Sequence, residues 1–229
     1  MWHSTPTYTY EVHSTSTPPP RHTFSRIEIG NILVAFSVLT LDFAILYSGV
    51  AGTSMFGSLP RSSIIPDLLA ALPAALLVAT TGFFSHEMAH KFLAQRMGMW
   101  AEFRMSLDML LLSMVTALFG VLFAAPGATV VRGVGSQREA GLTSLAGPAI
   151  NVVWAALFTG LGFLPIHLGG FSYWSKVFYL VGFVNLWFAI FNLIPFGPLD
   201  GRKVLNWNRP IWAVAFIGCI AAFLSFYIL

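Results

Sequence analysis

The residues with the clearest chemical potential lie in the run Ser85-His86-Glu87-Met88-Ala89-His90. Because positions i and i+4 are one helical turn apart, the imidazoles of His86 and His90 share one face of a helix and can bind one zinc ion. Glu87 lies beside them and can accept a proton from a water that the metal activates. The motif therefore predicts a metal site with an adjacent general base.

Two histidines leave a catalytic zinc one protein ligand short, and the third ligand should be another buried acid or histidine. The stretch from Asn192 to Gly201 offers Asp200. Prolines and glycines on both sides of this aspartate would break a helix and let its side chain turn toward the metal. The alternative is a plain helix stop with an exposed aspartate.

The composition places this chemistry in a membrane. Of the 229 residues, 56% are hydrophobic and only 9% are charged, and the mean hydropathy is +0.75. A soluble domain carries about 25% charged residues, so this class is excluded. Disorder, a collagen-like fibre and a disulfide framework are excluded as well, since Cys219 is the single cysteine. The net charge of +3 suits basic cytoplasmic loops, and no nucleic-acid module is present.

An ionisable residue at bilayer depth costs at least about 2.5 kcal/mol. Three such residues on one helical turn therefore need a common reason. Metal binding is the economical reason, and a hydrogen-bonded core cluster is the alternative.

The predicted fold is an all-α polytopic membrane protein with about five transmembrane helices, a re-entrant or hairpin segment and a small membrane-associated β element. A disordered tail at 1–26 precedes one integral membrane domain at 27–229. The apolar stretches of that domain begin with a first span within 29–60. The further predicted segments are the His-Glu span at 67–97, the re-entrant segment at 105–131, and the spans 142–164, 177–199 and 210–229.

Charge bias sets the predicted orientation. Placing the N-terminus inside puts ten basic residues in the cytoplasm and only Arg61 and Lys176 outside. The ten are Arg21, Arg26, Lys91, Arg96, Arg104, Arg132, Arg138, Arg202, Lys203 and Arg209. This predicts a multi-pass protein of the cell membrane whose active site opens toward the cytoplasm.

The segment 105–131 must make no net crossing. The histidine pair and Asp200 both lie at the C-terminal ends of their spans, so the two spans must run in the same direction to share a metal. With 142–164 crossing between them, the other apolar stretch has to turn back. Extended pieces near 102–105 and 128–131 are expected to form a small sheet edge that pairs with an unwound substrate strand.

Three motifs together resemble the site-2 protease family of intramembrane zinc metalloproteases. They are HEMAH on an early span, Ser144-Leu145-Ala146-Gly147-Pro148 opening a later span, and FNLIPFGPLDG closing the next. The resemblance covers roughly residues 67–205. It implies one zinc ion held by His86, His90 and Asp200. It also implies that Glu87 is the general base, and that Asn192 and Asn151 match polar positions that contact substrate or the oxyanion.

The function expected from these residues is zinc-dependent hydrolysis of a peptide bond in transmembrane protein substrates. The bilayer and those substrates are the expected partners, nucleic acid is not, and no oligomeric state is indicated. The alternative is a divalent-metal transporter that uses the same His/His/Asp site. A transporter needs polar groups along a path to both faces, whereas the polar groups here cluster toward one face.

Overall fold

A computed structural model describes residues 23–49, 63–122, 126–167 and 172–226 of the chain. Most of the predicted tail, residues 1–22, and nearly all of the loop after the first span lie outside the described residues. The elements are α1 (Arg26–Ser48), α2 (Ile64–Val78), a π-helical segment (Ala79–Phe84), α3 (Ser85–Arg96), β1 (Trp100–Met105), α4 (Leu107–Leu118), β2 (Gly127–Arg132), α5 (Gln137–His167), α6 (Tyr173–Leu193), α7 (Asp200–Trp207) and α8 (Arg209–Ser225).

The predicted class of fold, a polytopic helical membrane protein, is confirmed. Four helical stretches of the described residues are long and apolar enough to cross a bilayer: Arg26–Ser48, Ile64–Arg96, Gln137–Leu164 and Tyr173–Leu193. The predicted span 210–229 forms α8, which is shorter at 17 residues. The second stretch runs without a break through α2, the π-helical segment and α3, so it carries the histidine pair within one long helix.

The ends of these helices follow from local sequence. The Ser25 side chain accepts a hydrogen bond from the Glu28 N–H at the start of α1, and Gly49 ends that helix with a left-handed backbone at φ 72°. Ser172 and Ser175 form a reciprocal capping box at the start of α6. Asn208 caps α8, whose second residue is Pro210. Serine, asparagine and glycine residues thus mark the points at which these apolar helices begin and end.

Aromatic and aliphatic side chains of α1, α2, α5 and α6 form the largest core cluster, in which Phe43, Tyr47, Val78 and Val181 are fully buried. Helices α5 and α6 approach closely because Gly182 faces Thr159 with no room for a Cβ. This packing holds the two helices that flank the His-Glu helix in fixed positions.

The predicted hairpin between the His-Glu helix and α5 is present as β1, α4 and β2. The strands pair antiparallel from Trp100 with Arg132 to Met105 with Gly127, so the chain returns to the level at which it left. Helix α4 has 12 residues and is about 18 Å long, well short of the roughly 30 Å of a hydrocarbon core. The small β element expected near 102–105 and 128–131 is confirmed within these strands.

One charged residue differs from its expected place. Lys91 was counted among the cytoplasmic loop charges, but its side chain is fully buried and lies 2.6 Å from the equally buried carboxylate of Glu28. Its Nζ also donates to the backbone oxygens of Thr23 and Ala101. Lys91 is therefore an internal partner of Glu28 and adds nothing to the charge bias of the loops.

Candidate metal centre and its cavity

A π-helical segment directly precedes α3, the helix that carries His86, Glu87 and His90. A π-helix lengthens the hydrogen-bond spacing by one residue, and such segments occur frequently at functional sites. Here the backbone oxygens of Thr81 and Gly82 accept hydrogen bonds from the Asn151 amide on α5. The segment thus joins the His-Glu helix to α5 just before His86.

Asp200 reaches the histidines through a sharp turn after α6. Gly197 has φ 58°, a left-handed conformation that favours glycine. A Cβ on Gly201 would collide with the backbone of Leu193, so only glycine lets α7 start this close to the end of α6. Asp200 is 9% exposed. The alternative of an exposed helix-stop aspartate therefore does not apply.

The structure brings His86, His90 and Asp200 together in a triangle of ligand atoms. The two Nε2 atoms are 3.0 Å apart, and Oδ2 of Asp200 lies 3.4 Å from Nε2 of His86 and 3.1 Å from Nε2 of His90. Zinc bonds of about 2.0–2.1 Å at tetrahedral angles require ligand atoms about 3.3 Å apart. The triangle therefore has the dimensions of three ligands around one tetrahedral ion.

The outer nitrogen of each imidazole is engaged by another group. Nδ1 of His90 lies 2.7 Å from the Thr143 backbone oxygen, an acceptor only, so this nitrogen carries the proton. Nδ1 of His86 pairs with Oδ1 of Asn151. Both Nε2 atoms then face Asp200, and the three atoms can stay this close only where a proton on a histidine or a bound cation lies between them. The donor set thus fits a bound metal.

Gly147 keeps the space beside the triangle open. A Cβ at this position would fall against Nε2 of His90 and against the His86 ring. This places the Ala-Gly-Pro motif of α5 directly over the ligand atoms. A glycine is required here because even a methyl group would occupy the region that a metal and its fourth ligand need.

Asn151 lies behind His86 and not at the cavity wall, which differs from its predicted substrate-facing position. It is fully buried, and its amide nitrogen donates to Gly82 O and to Oδ1 of Asn185. Asn185 in turn donates to the Thr81 hydroxyl. The sequence did not reveal Thr143, whose backbone oxygen leaves no sequence signal.

Asn192 lies on the wall of a cavity of about 170 Å³ that contains the ligand triangle. Its amide nitrogen donates one hydrogen to Phe188 O in its own helix. Besides the three ligand residues, the polar residues on the wall include Glu87, Thr129, Thr143, Ser144 and Lys203. Apolar residues of α1, the π-helical segment, α6 and the hairpin also line the wall, among them Leu39, Phe83, Leu122, Pro126, Val131, Phe188 and Phe191.

Glu87 also lines this cavity, and it is held by β2. Its Oε2 accepts the Thr129 backbone N–H at 2.8 Å and the Thr129 hydroxyl at 2.7 Å. Contact between Glu87 and Thr129 across 42 residues was not foreseen from the sequence. Half-buried and exposed residues alternate along β2, and this pattern does not identify the partner.

The charge state of Asp200 follows from its neighbours. Burial alone would raise the pKa of this carboxyl, but the charge of His90 and hydrogen bonds with both histidines outweigh burial and hold the pKa below its ordinary value. Asp200 is therefore an anionic ligand, which suits a divalent cation.

The chain is similar to several proteins named as zinc metalloproteases. It is 36% identical over 194 residues to "Putative zinc metalloprotease MJ0611" of Methanocaldococcus jannaschii, covering 83% of this chain and 90% of the relative. It is 29% identical over 186 residues to Rip3 of Mycobacterium tuberculosis, named in the same words, covering 78% of this chain and 40% of the relative. It is also 31% identical over 145 residues to sll0528 of Synechocystis, again so named, covering 62% of this chain and 32% of the relative.

No family model and no solved structure matches the chain. The long match to the archaeal relative, together with the motifs, shows that the chain belongs to the site-2 protease family of zinc metalloproteases.

Proposed function

We propose that this membrane protein is a zinc-dependent endopeptidase that cleaves a peptide bond of transmembrane protein substrates within the bilayer. One observation carries the proposal: three buried ligand atoms with the spacing of a zinc site share a cavity with Glu87, inside a bundle of membrane-crossing helices. The metal is one zinc ion held by His86, His90 and Asp200.

The residues of the chain have distinct roles in this reaction. When bound, zinc lowers the pKa of a coordinated water to about 7 and polarises the substrate carbonyl. Glu87 accepts the proton of the attacking water and later gives it to the leaving amine. Asn192 has a second amide hydrogen beside the one that Phe188 accepts, and this hydrogen can be donated to the substrate or the oxyanion. Asn151 keeps the proton of His86 on Nδ1.

The substrate enters as an extended segment. A peptide bond inside a helix is shielded, so the substrate must unwind before its carbonyl reaches the cavity. Gly127, Ala128 and Thr129 of β2 line that cavity, and a strand edge can pair with an extended peptide. The partners are therefore membrane proteins with an unwinding segment. The N-terminus and the cavity opening lie on the cytoplasmic side of the cell membrane.

The variant Glu87→Gln tests this function. Purified wild-type protein in detergent cleaves a membrane peptide, whereas Glu87→Gln binds as much zinc but loses about 10²–10⁴-fold in cleavage rate. His86→Ala loses the metal. Glu102→Gln, on β1, is the matched control and keeps both zinc and activity. Full proteolysis by Glu87→Gln, or zinc uptake into proteoliposomes without any cleavage, would overturn the proposal and favour a transporter.

A further inference from the structure

Strands β1 and β2 form a two-stranded sheet. On each strand, the backbone N–H and C=O groups that do not pair with the other strand point away from it, toward opposite edges of the sheet. In an antiparallel pair, two facing residues either exchange both hydrogen bonds or both point away from each other. Phe103 faces Thr129 in the register. The Phe103 N–H donates to Glu28 at 2.9 Å, and the Thr129 N–H donates to Glu87. This is therefore a pair that points outward, and the Thr129 N–H belongs to the outer edge of β2.

The outer edge of β1 is closed. Its Phe103 N–H is taken by buried Glu28, and its Ala101 oxygen accepts from Lys91 Nζ at 3.3 Å and from Gln95 Nε2 at 3.2 Å. All three partners are buried. Within the described part of this sheet, a peptide can therefore add as a further strand only at the β2 edge, which lines the cavity of the metal site.

An added strand and Glu87 compete for the same donor. A peptide that pairs with β2 must place one of its carbonyl oxygens on the Thr129 N–H, where Oε2 of Glu87 lies in the free protein. The carboxylate thus occupies the position of a substrate carbonyl. Since the Thr129 hydroxyl also contacts both Oε2 and the backbone oxygen of Glu87, the contact is built from more than one hydrogen bond.

We propose that Thr129 is a positioning residue that couples strand binding to release of the base. In the free protein Thr129 holds the Glu87 carboxylate on the β2 edge. An incoming extended segment takes the Thr129 N–H, and the displaced carboxylate turns into the cavity toward the ligand triangle. This inference rests on the proposed function and adds that the substrate itself frees the group that activates water.

Two inactive variants of equal charge provide the test. Glu87→Gln retains an oxygen that can accept the Thr129 N–H, whereas Glu87→Ala removes it. The probe is a fluorescent Val- and Thr-rich peptide of about ten residues, bound to zinc-loaded protein in detergent. Loss of one hydrogen bond from the free state makes Glu87→Ala bind the peptide about three- to tenfold more tightly than Glu87→Gln. The control peptide carries N-methyl groups on every residue, which block both of its edges, so it cannot pair as a strand and binds both variants equally.

A second pair of variants tests the same coupling in protein that retains Glu87. Thr129→Val removes the hydroxyl and keeps the backbone donor, whereas Thr129→Ser keeps both. The coupling predicts a KM for Thr129→Val two- to fivefold below that of Thr129→Ser, since the strand displaces a weaker contact. A purely structural role would lower the thermal stability of Thr129→Val and leave KM unchanged.

Equal peptide affinity for Glu87→Gln and Glu87→Ala, or an equal gain with the N-methylated peptide, would overturn the inference. Failure of the proposed function has a different signature. In that case the wild-type protein cleaves no membrane peptide, while the difference in affinity between the two variants persists.

Discussion

Two glutamates accept backbone N–H groups from opposite edges of the same two-stranded sheet, and their surroundings differ. Glu28 on α1 is fully buried and paired with Lys91, which is also fully buried. Glu87 on α3 is held by Thr129, and it faces the cavity that contains the ligand triangle. A carboxylate with a buried cation cannot leave without stranding that cation. A carboxylate held by neutral donors beside a cavity can move. The first edge therefore serves the fold, and the second serves the chemistry proposed above.

The largest effect is expected from breaking the Glu28–Lys91 pair. Lys91→Met leaves Glu28 as an uncompensated buried charge, which costs about 3–5 kcal/mol of stability, whereas Glu87→Gln changes stability little. Thermal unfolding in detergent measures both. The control is Glu102→Gln, which removes the partly exposed partner of Arg104 in the same sheet and should cost about 0–1 kcal/mol. Equal destabilisation by Lys91→Met and Glu87→Gln would refute the distinction between the two edges.

The second effect concerns the space on the cavity side. Gly147→Ala puts a methyl group against both imidazoles, so zinc affinity should fall about 100-fold and the purified protein should hold less zinc than wild type. Gly160→Ala, on the same helix but with nothing within 4 Å of its added Cβ, should keep full zinc content. Metal analysis of purified protein measures both. Stoichiometric zinc in Gly147→Ala would exclude a metal site at this position.

The third effect separates the two asparagines. Asn151→Leu removes the partner of His86 Nδ1, so zinc affinity should drop about 10–100-fold. Asn192 lies on the cavity wall and has no hydrogen bond with His86, His90 or Asp200. Asn192→Leu should therefore lower the cleavage rate and leave zinc affinity unchanged. Competition with a chelating dye gives the affinities. The reverse pattern would return Asn151 to the substrate-binding role first predicted for it.

The smallest effect is expected from Gln95 at the closed edge. Its amide nitrogen shares the Ala101 oxygen with Lys91, and its own Oε1 is buried without a partner among the described residues. Gln95→Met loses one hydrogen bond but also removes an unsatisfied acceptor, so stability should change by less than about 1 kcal/mol. Thermal unfolding beside Lys91→Met is the measurement. A loss as large as that of Lys91→Met would mean that the amide, not the ion pair, closes this edge.

The sequence determined the class of protein, and it pointed to the three side chains that the structure brings together in the ligand triangle. Charges are so rare in this chain that each one at membrane depth stands out, and a spacing of four residues already places His86 and His90 on one face of a helix. The direction of the spans was enough to require a hairpin between them, because two helix ends that share a metal must lie at the same depth.

Tertiary structure alone decided the partners of these residues. The sequence places Lys91 among the cytoplasmic basic residues, whereas in the fold Lys91 is paired with Glu28, 63 residues away. Thr129 has no distinguishing neighbours in the sequence, yet it holds Glu87, and Asn151 contacts His86 instead of the cavity. The spacing along a chain fixes which side chains share a face. Which distant segment covers that face depends on how helices and strands pack, and that information is spread over the whole sequence.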